Sequence, residues 1–213
     1  MSFALALPLP QSFPSPRERA GGYCRGIVER PAVLDIAADS DEDLMLRYAA
    51  GETAAFDQLY ARFRVRLLRY LARLTGNAAQ AEELFQDTWS RVIDARSRYA
   101  PSARFAAWLF RIAHHLAIDH IRRQKPQVDI DSVLIEFPGV PDEDPALALD
   151  QFERMQKLAL LVEALPVEQR AVLLMRAEGE LTLEEIAQSV GTGRETIKSR
   201  LRYALAKLRE GLS

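Results

Sequence analysis

The sequence predicts an all-α protein: two small helical domains joined by an acidic, extended linker, the second ending in a helix-turn-helix. Three observations predict it. Apolar residues recur at three- and four-residue spacing through residues 41–125 and again through 151–210. No strand-like run is longer than "VLIEF" at residues 133–137. Glycine and proline fall at the ends of the periodic stretches, where helices stop.

Residues 1–39 are rich in proline, glycine and alanine without a sustained period, and are expected to be a disordered extension. The apolar run near the start lacks a preceding positive region and is broken by prolines, so it does not read as a signal peptide.

The first domain is expected over residues 40–125. "DEDLMLRYAAGE" opens it as a short helix with an acidic start, ending near Gly51. In "TAAFDQLYARFRVRLLRYLARLTG", Phe56, Leu59, Tyr60, Phe63, Leu67, Leu71 and Leu74 share one helix face, and Gly76 is a stop signal. Asn77 with Gln80 has capping-box spacing ahead of "AAQAEELFQDTWSRVIDA", whose apolar stripe is Leu84, Phe85, Thr88, Trp89 and Val92. After a break at "RSRYAPSARF", the helix "AAWLFRIAHHLAIDHIRRQ" turns Trp108, Leu109, Ile112, Ala113, Leu116 and Ile121 inward and is stopped by Pro126.

Residues 126–150 form the linker. From 127 to 150 there are seven acidic side chains and no basic one, with prolines that interrupt any period. This segment accounts for the formal charge of −2, because the flanking domains are mildly basic, +4 over 41–126 and +1 over 151–213. Charges that small imply a weak unaided grip on a polyanion.

Residues 151–213 form the second domain. "QFERMQKLALLVEAL" and "PVEQRAVLLMRAEG" precede two helices that each carry a capping-box sequence, Thr182 with Glu185 and Thr192 with Glu195. Val190-Gly191 between them makes a short turn in which glycine takes a positive φ. In the last helix Ile197, Leu201, Leu205 and Leu208 read as the inward stripe. Arg194, Lys198, Ser199 and Arg202 then project outward from its first half, the part that a helix-turn-helix lays in the major groove. Six basic residues meet only two acidic ones between 191 and 210, which favours DNA over a merely solvated face. Glu195 is assigned to the helix cap rather than to DNA.

With these residues in view, the chain over about 41–210 resembles the extracytoplasmic-function sigma factors, small members of the sigma-70 family. "AFDQLYARF" with "LLRYLARLTG" is similar to the family's opening helices, and "AEELFQDTWSRVI" to its polymerase-clamp helix. "FAAWLFRIAHHLAIDHIRR" resembles its promoter-melting helix, and "LPVEQRAVLLMR" with "LTLEEIAQSVGTGRETIKSRLRYALAKLR" resembles its domain for the −35 element.

The resemblance implies a subunit that directs promoter-specific transcription initiation, with core RNA polymerase (β′ clamp and β flap), promoter DNA and an anti-sigma factor as partners. It implies a cytoplasmic protein with no membrane insertion, no enzymatic activity and no cofactor. By position, Glu82, Glu83, Gln86 and Asp87 would face the clamp. Tyr99, Arg104, Phe105, Trp108, Arg111, His115, Arg122 and Arg123 would serve −10 recognition and melting, with Lys125 a further phosphate anchor. Arg194, Lys198, Ser199, Arg200 and Arg202 would serve −35 recognition. Trp108 has a second reading as core, given its helical spacing with Leu109 and Ile112.

One departure stands out: His115 occupies the position of the family's usual asparagine, which puts the −10 preference in question. His114, His115 and His120 do not make a metal site, since helix neighbours point different ways and no HExxH spacing exists. The lone Cys24 excludes an internal disulfide. The alternative reading is a stand-alone helix-turn-helix regulator, but the aromatic and arginine-rich helix at 106–124 has no place in it. An enzyme lacks support: there is no phosphate-binding glycine loop, no paired catalytic carboxylates and no ligand set.

Overall fold

The computed structural model describes residues 39–123 and 145–212, with side chains in the second stretch from residue 154 onward. Eight α-helices occupy these residues, with no strand among them. The first four are α1 (Asp41–Ala49), α2 (Thr53–Thr75), α3 (Ala78–Ala95) and α4 (Phe105–Arg123), with a short 3₁₀ turn at Arg96–Arg98. The last four are α5 (Pro145–Glu163), α6 (Val167–Ala177), α7 (Leu183–Val190) and α8 (Arg194–Leu212). Helix α5 starts inside the stretch expected to be linker, at Pro145, a residue whose missing N–H costs nothing in a first helical turn. The rest of the acidic linker, the extension at 1–38 and Lys125 lie outside the described residues.

Local signals set most helix ends. The Ser40 hydroxyl accepts the Asp43 N–H at the start of α1, where Asp41, Glu42 and Asp43 also oppose the helix dipole. The Asn77 side chain accepts the Gln80 N–H at 3.0 Å, as its spacing predicts. Gly76 and Gly191 close α2 and α7 at φ of 71° and 73°, a region open to glycine at little cost. Thr182 and Glu185 make the full reciprocal capping box of α7.

The second expected box is not built. Helix α8 starts at Arg194, with the Gly193 carbonyl accepting the Ile197 N–H, so Thr192 stands one residue too far out. Thr192 instead donates its N–H to the Ala187 carbonyl, which seals the end of α7. Glu195 sits 3.6 Å from Lys198 Nζ and 3.7 Å from an Arg194 nitrogen.

The core is continuous. Leu59, Phe63, Leu67 and Leu71 of α2 pack with Leu84, Trp89 and Val92 of α3 and with Phe105, Leu109 and Ala113 of α4. In the C-terminal helices Val172, Leu174 and Met175 of α6 pack with Ile186 of α7 and with Ile197, Ala204 and Leu208 of α8. Leu205, expected inside, is 39% exposed, and Ala204 takes its place in the stripe. The two helical groups touch: α4 lies against α7, and α2 lies against α5 and α6.

Candidate nucleic-acid interface

Helix α8 presents a basic face because its other face is fixed in the core. Ile197 and Ala204 are fully buried, which turns Arg194, Lys198 and Arg202 to solvent, while Ser199 and Arg200 are half-buried. Arg194 pairs with Glu184 of α7 across the turn, and the Arg202 guanidinium lies over Tyr203, 5.2 Å from the ring centroid. These contacts are exposed and hold the cations loosely. The arrangement can offer several mobile positive charges and donors to a phosphate backbone or to base edges.

The second group of expected residues surrounds the start of α4. Tyr99, Phe105 and Trp108 form one aromatic cluster, with centroids 5.1 Å apart for Tyr99–Trp108 and 5.8 Å for Phe105–Trp108. Tyr99 and Trp108 are half-buried, so the two rings expose only part of their surface. Burial, then the nearby Glu42 and Asp41, push the Tyr99 phenol up to about 12, and its hydroxyl has no hydrogen-bond partner among the described residues.

Phe105 departs from expectation. Its side chain has no exposed surface, because it is wedged against Phe63 under the other two rings, and it cannot stack on a base from there. Arg104, Arg111, His115, Arg122 and Arg123 are all exposed. Arg104 is not free: it lies 3.4 Å from the Glu185 carboxylate and donates to the Glu180 carbonyl. Glu82, Glu83, Gln86 and Asp87 form an exposed acidic face on α3, opposite the buried Leu84, Phe85 and Thr88.

The adjacent histidines divide as helix geometry requires. His115 is at the surface, and His114 is buried with its Nδ1 3.1 Å from the Tyr70 hydroxyl. Burial raises the Tyr70 phenol far above its usual range, so it stays protonated. Burial, and then the nearby His115, Arg122 and Arg200, push His114 down to about 4.

The unfolded chain therefore takes up a proton near pH 6.5 that the folded chain refuses until about pH 4. Stability is fully present above that window and falls as pH drops through it, by about 3 kcal/mol at most for this group. Urea midpoints compared at pH 7 and pH 4.5 should drop for the native chain. They should drop less for His114→Gln, and equal drops would remove His114 as the cause.

Comparison with known proteins decides what these faces belong to. The profile described as Sigma-70 region 2 matches residues 59–127, and that described as Sigma-70, region 4 matches residues 161–210. The chain is 36% identical over 166 residues to the ECF RNA polymerase sigma factor RpoE of Cereibacter sphaeroides, covering 76% of this chain and 88% of that one. It is an extracytoplasmic-function sigma factor of the sigma-70 family. It is also 34% identical over 171 residues to the RNA polymerase sigma factor CarQ of Myxococcus xanthus, covering 78% of this chain and 94% of that one.

Among solved structures, the sigma factor RpoE of Bartonella quintana, in complex with the anti-sigma factor NepR, is similar at a TM-score of 0.57 and 26% identity. That match covers 74% of this chain and 96% of the other. As a sigma factor the protein directs promoter-specific initiation by RNA polymerase. The region 2 match takes in the acidic face of α3 and the aromatic cluster, and the region 4 match takes in the basic face of α8. Among the described residues no helix is long and apolar enough to cross a membrane.

The sequence reading passed over one constellation: Arg66, Arg69 and Arg73 of α2, all directed at the turn between α6 and α7. Their spacing, i, i+3 and i+7 on one helix face, was the available signal.

Proposed function

We propose that the two faces are divided between the two promoter elements. Residues 151–213 read the −35 element through Arg194, Lys198, Ser199, Arg200 and Arg202. Residues 40–125 bind core polymerase through Glu82, Glu83, Gln86 and Asp87, and open the −10 region with Tyr99, Trp108, Arg104, Arg111, His115, Arg122 and Arg123. Phe105 supports that surface from below. Residues 126–150 connect the two along the polymerase. The observation that carries the reading is the exposed cation face of α8 on a helix whose opposite face is locked into the core.

The two aromatic rings beside a row of arginines suit an unpaired base, which needs a stacking surface and backbone anchors. The protein adds no catalytic group of its own in this reading, since the polymerase performs the chemistry, and it works in the cytoplasm with that enzyme. Likeness to the Bartonella quintana protein supports an anti-sigma factor as a further partner.

Transcription in vitro tests the proposal. Core polymerase plus this protein, given templates with randomised −35 and −10 elements, should yield transcripts enriched in one sequence at each element. Duplex binding by the protein alone without any promoter-dependent transcript would mean a stand-alone regulator instead.

A further inference from the structure

The turn between α6 and α7 is docked on the first helical group by polar contacts centred on one carboxylate. Glu178, 6% exposed, receives Arg69 Nε and Nη2 on Oε2 at 3.1 and 3.0 Å, and Arg73 Nη1 on Oε1 at 3.2 Å. Arg66 Nε donates to the Glu178 carbonyl at 2.6 Å. Beside it, Gly179 lies so close to α4 that a Cβ there would come within 3.3 Å of the Phe110 ring and 2.7 Å of the Met175 carbonyl. Glu180 adopts φ 53°, a left-handed conformation that a glutamate reaches only at a cost. From α6, Arg170 reaches back to the Arg73 and Leu74 carbonyls at 3.4 Å each. Ion pairs to one acidic side chain are the centre of this contact, and the fully buried Phe110 and Leu181 lie beside it around Gly179.

The docked arrangement is incompatible with reading two promoter elements. Their names place −35 and −10 about 25 base pairs apart, about 85 Å along duplex DNA at 3.4 Å per pair. Here His115 and Arg122 of α4 line one cleft of about 550 Å³ together with Gly191, Thr192 and Arg200 of the helix-turn-helix. No duplex fits that cleft, and one molecule cannot hold both faces there and at both elements.

We infer that this is a self-latched resting state in which Glu178 is the latch and Arg66, Arg69 and Arg73 receive it. The inference rests on the proposed division of the promoter elements between the two helical groups. Loading onto polymerase must break the latch, leaving the arginine row of α2 uncovered. Glu178 alone cannot stay behind as a buried unpaired carboxylate, so breaking the pair and separating the groups are one event.

Distance measurements on the full chain test this. Cys24→Ser removes the native thiol, and Ser90→Cys on α3 with Lys207→Cys on α8, both exposed positions, carry spin labels. The otherwise native chain should give one short, narrow distance distribution, moving to long distances when core polymerase is added. Glu178→Arg should cut the short population at least tenfold without polymerase. The charge-neutral swap Glu178→Arg with Arg69→Glu should restore it, which a merely disrupted turn would not do. If circular dichroism shows Glu178→Arg unfolded, Arg66, Arg69 and Arg73 changed together to alanine must give the same loss of the short population. A native chain that is already long, or a short population indifferent to Glu178 and to the three arginines, overturns the latch. The same samples are assayed for transcription on the randomised templates. Failure of the native chain there counts against the promoter reading, whereas normal transcription with unchanged distances counts against the latch alone.

Discussion

Changing Arg194, Lys198 and Arg202 together to alanine should lower promoter-dependent transcription about a hundredfold or more and leave thermal stability nearly unchanged. The expected size comes from the contacts available to the three side chains. A base or phosphate contact is worth about 1–3 kcal/mol, and each 1.4 kcal/mol is about tenfold, so losing three reaches a hundredfold even at the low end. Stability should hold because the side chains contribute little to it. Arg194 and Lys198 are 54% and 62% exposed, and their partners Glu184 and Glu195 are equally wet. Exposed pairs of this kind contribute about 0–1 kcal/mol. Transcription on a selected promoter and a thermal melt of the same preparation check both halves. Undiminished transcription would take the −35 element away from α8; a collapsed melting temperature would make these residues structural.

The α8 helix also shows what can be read from spacing and what cannot. Ile197, Leu201 and Leu208 were legible as an inward stripe because 3.6 residues per turn keeps them within about 40° of one another. Leu205 was misplaced by favouring hydrophobicity over angle: it lies about 80° round from Ile197, whereas Ala204 lies only about 20° away. Alanine gives a weak hydrophobic signal, so the eye passes to its larger neighbour. The Thr182 box was legible and the Thr192 box was not, though both share one pattern, because Thr192 spends its N–H on the end of the preceding helix. A connection of so few residues serves two helix ends at once, and local rules treat each end alone. The arginines of α2 carried a visible periodicity but not their partner. Arg69 and Glu178 are 109 positions apart, and no local pattern links them.

Phe105 is where sequence and structure assign different work to one residue, and its removal should cost about 3–5 kcal/mol of folding stability. Position in the chain set it among residues that would meet DNA. Packing sets it among the largest fully buried side chains, 5.3 Å from Phe63 and 5.8 Å from Trp108 between ring centroids. Its backbone N–H donates to the Glu42 carboxylate, which ties the start of α4 to α1. Phe105→Ala therefore leaves a cavity beneath Trp108 and Tyr99 and loosens the two rings whose exposed parts remain available to a base. Phe105→Leu, which refills most of the volume, should recover most of the stability. Trp108→Ala, at a half-buried position, should cost less in stability than Phe105→Ala and more in transcription for each unit of stability lost. Urea denaturation ranks the first quantity and transcription at a temperature where all variants are folded ranks the second. Should Phe105→Ala instead abolish transcription while keeping native stability, the ring would have to swing out to meet DNA, and its buried place here would belong to the closed form alone.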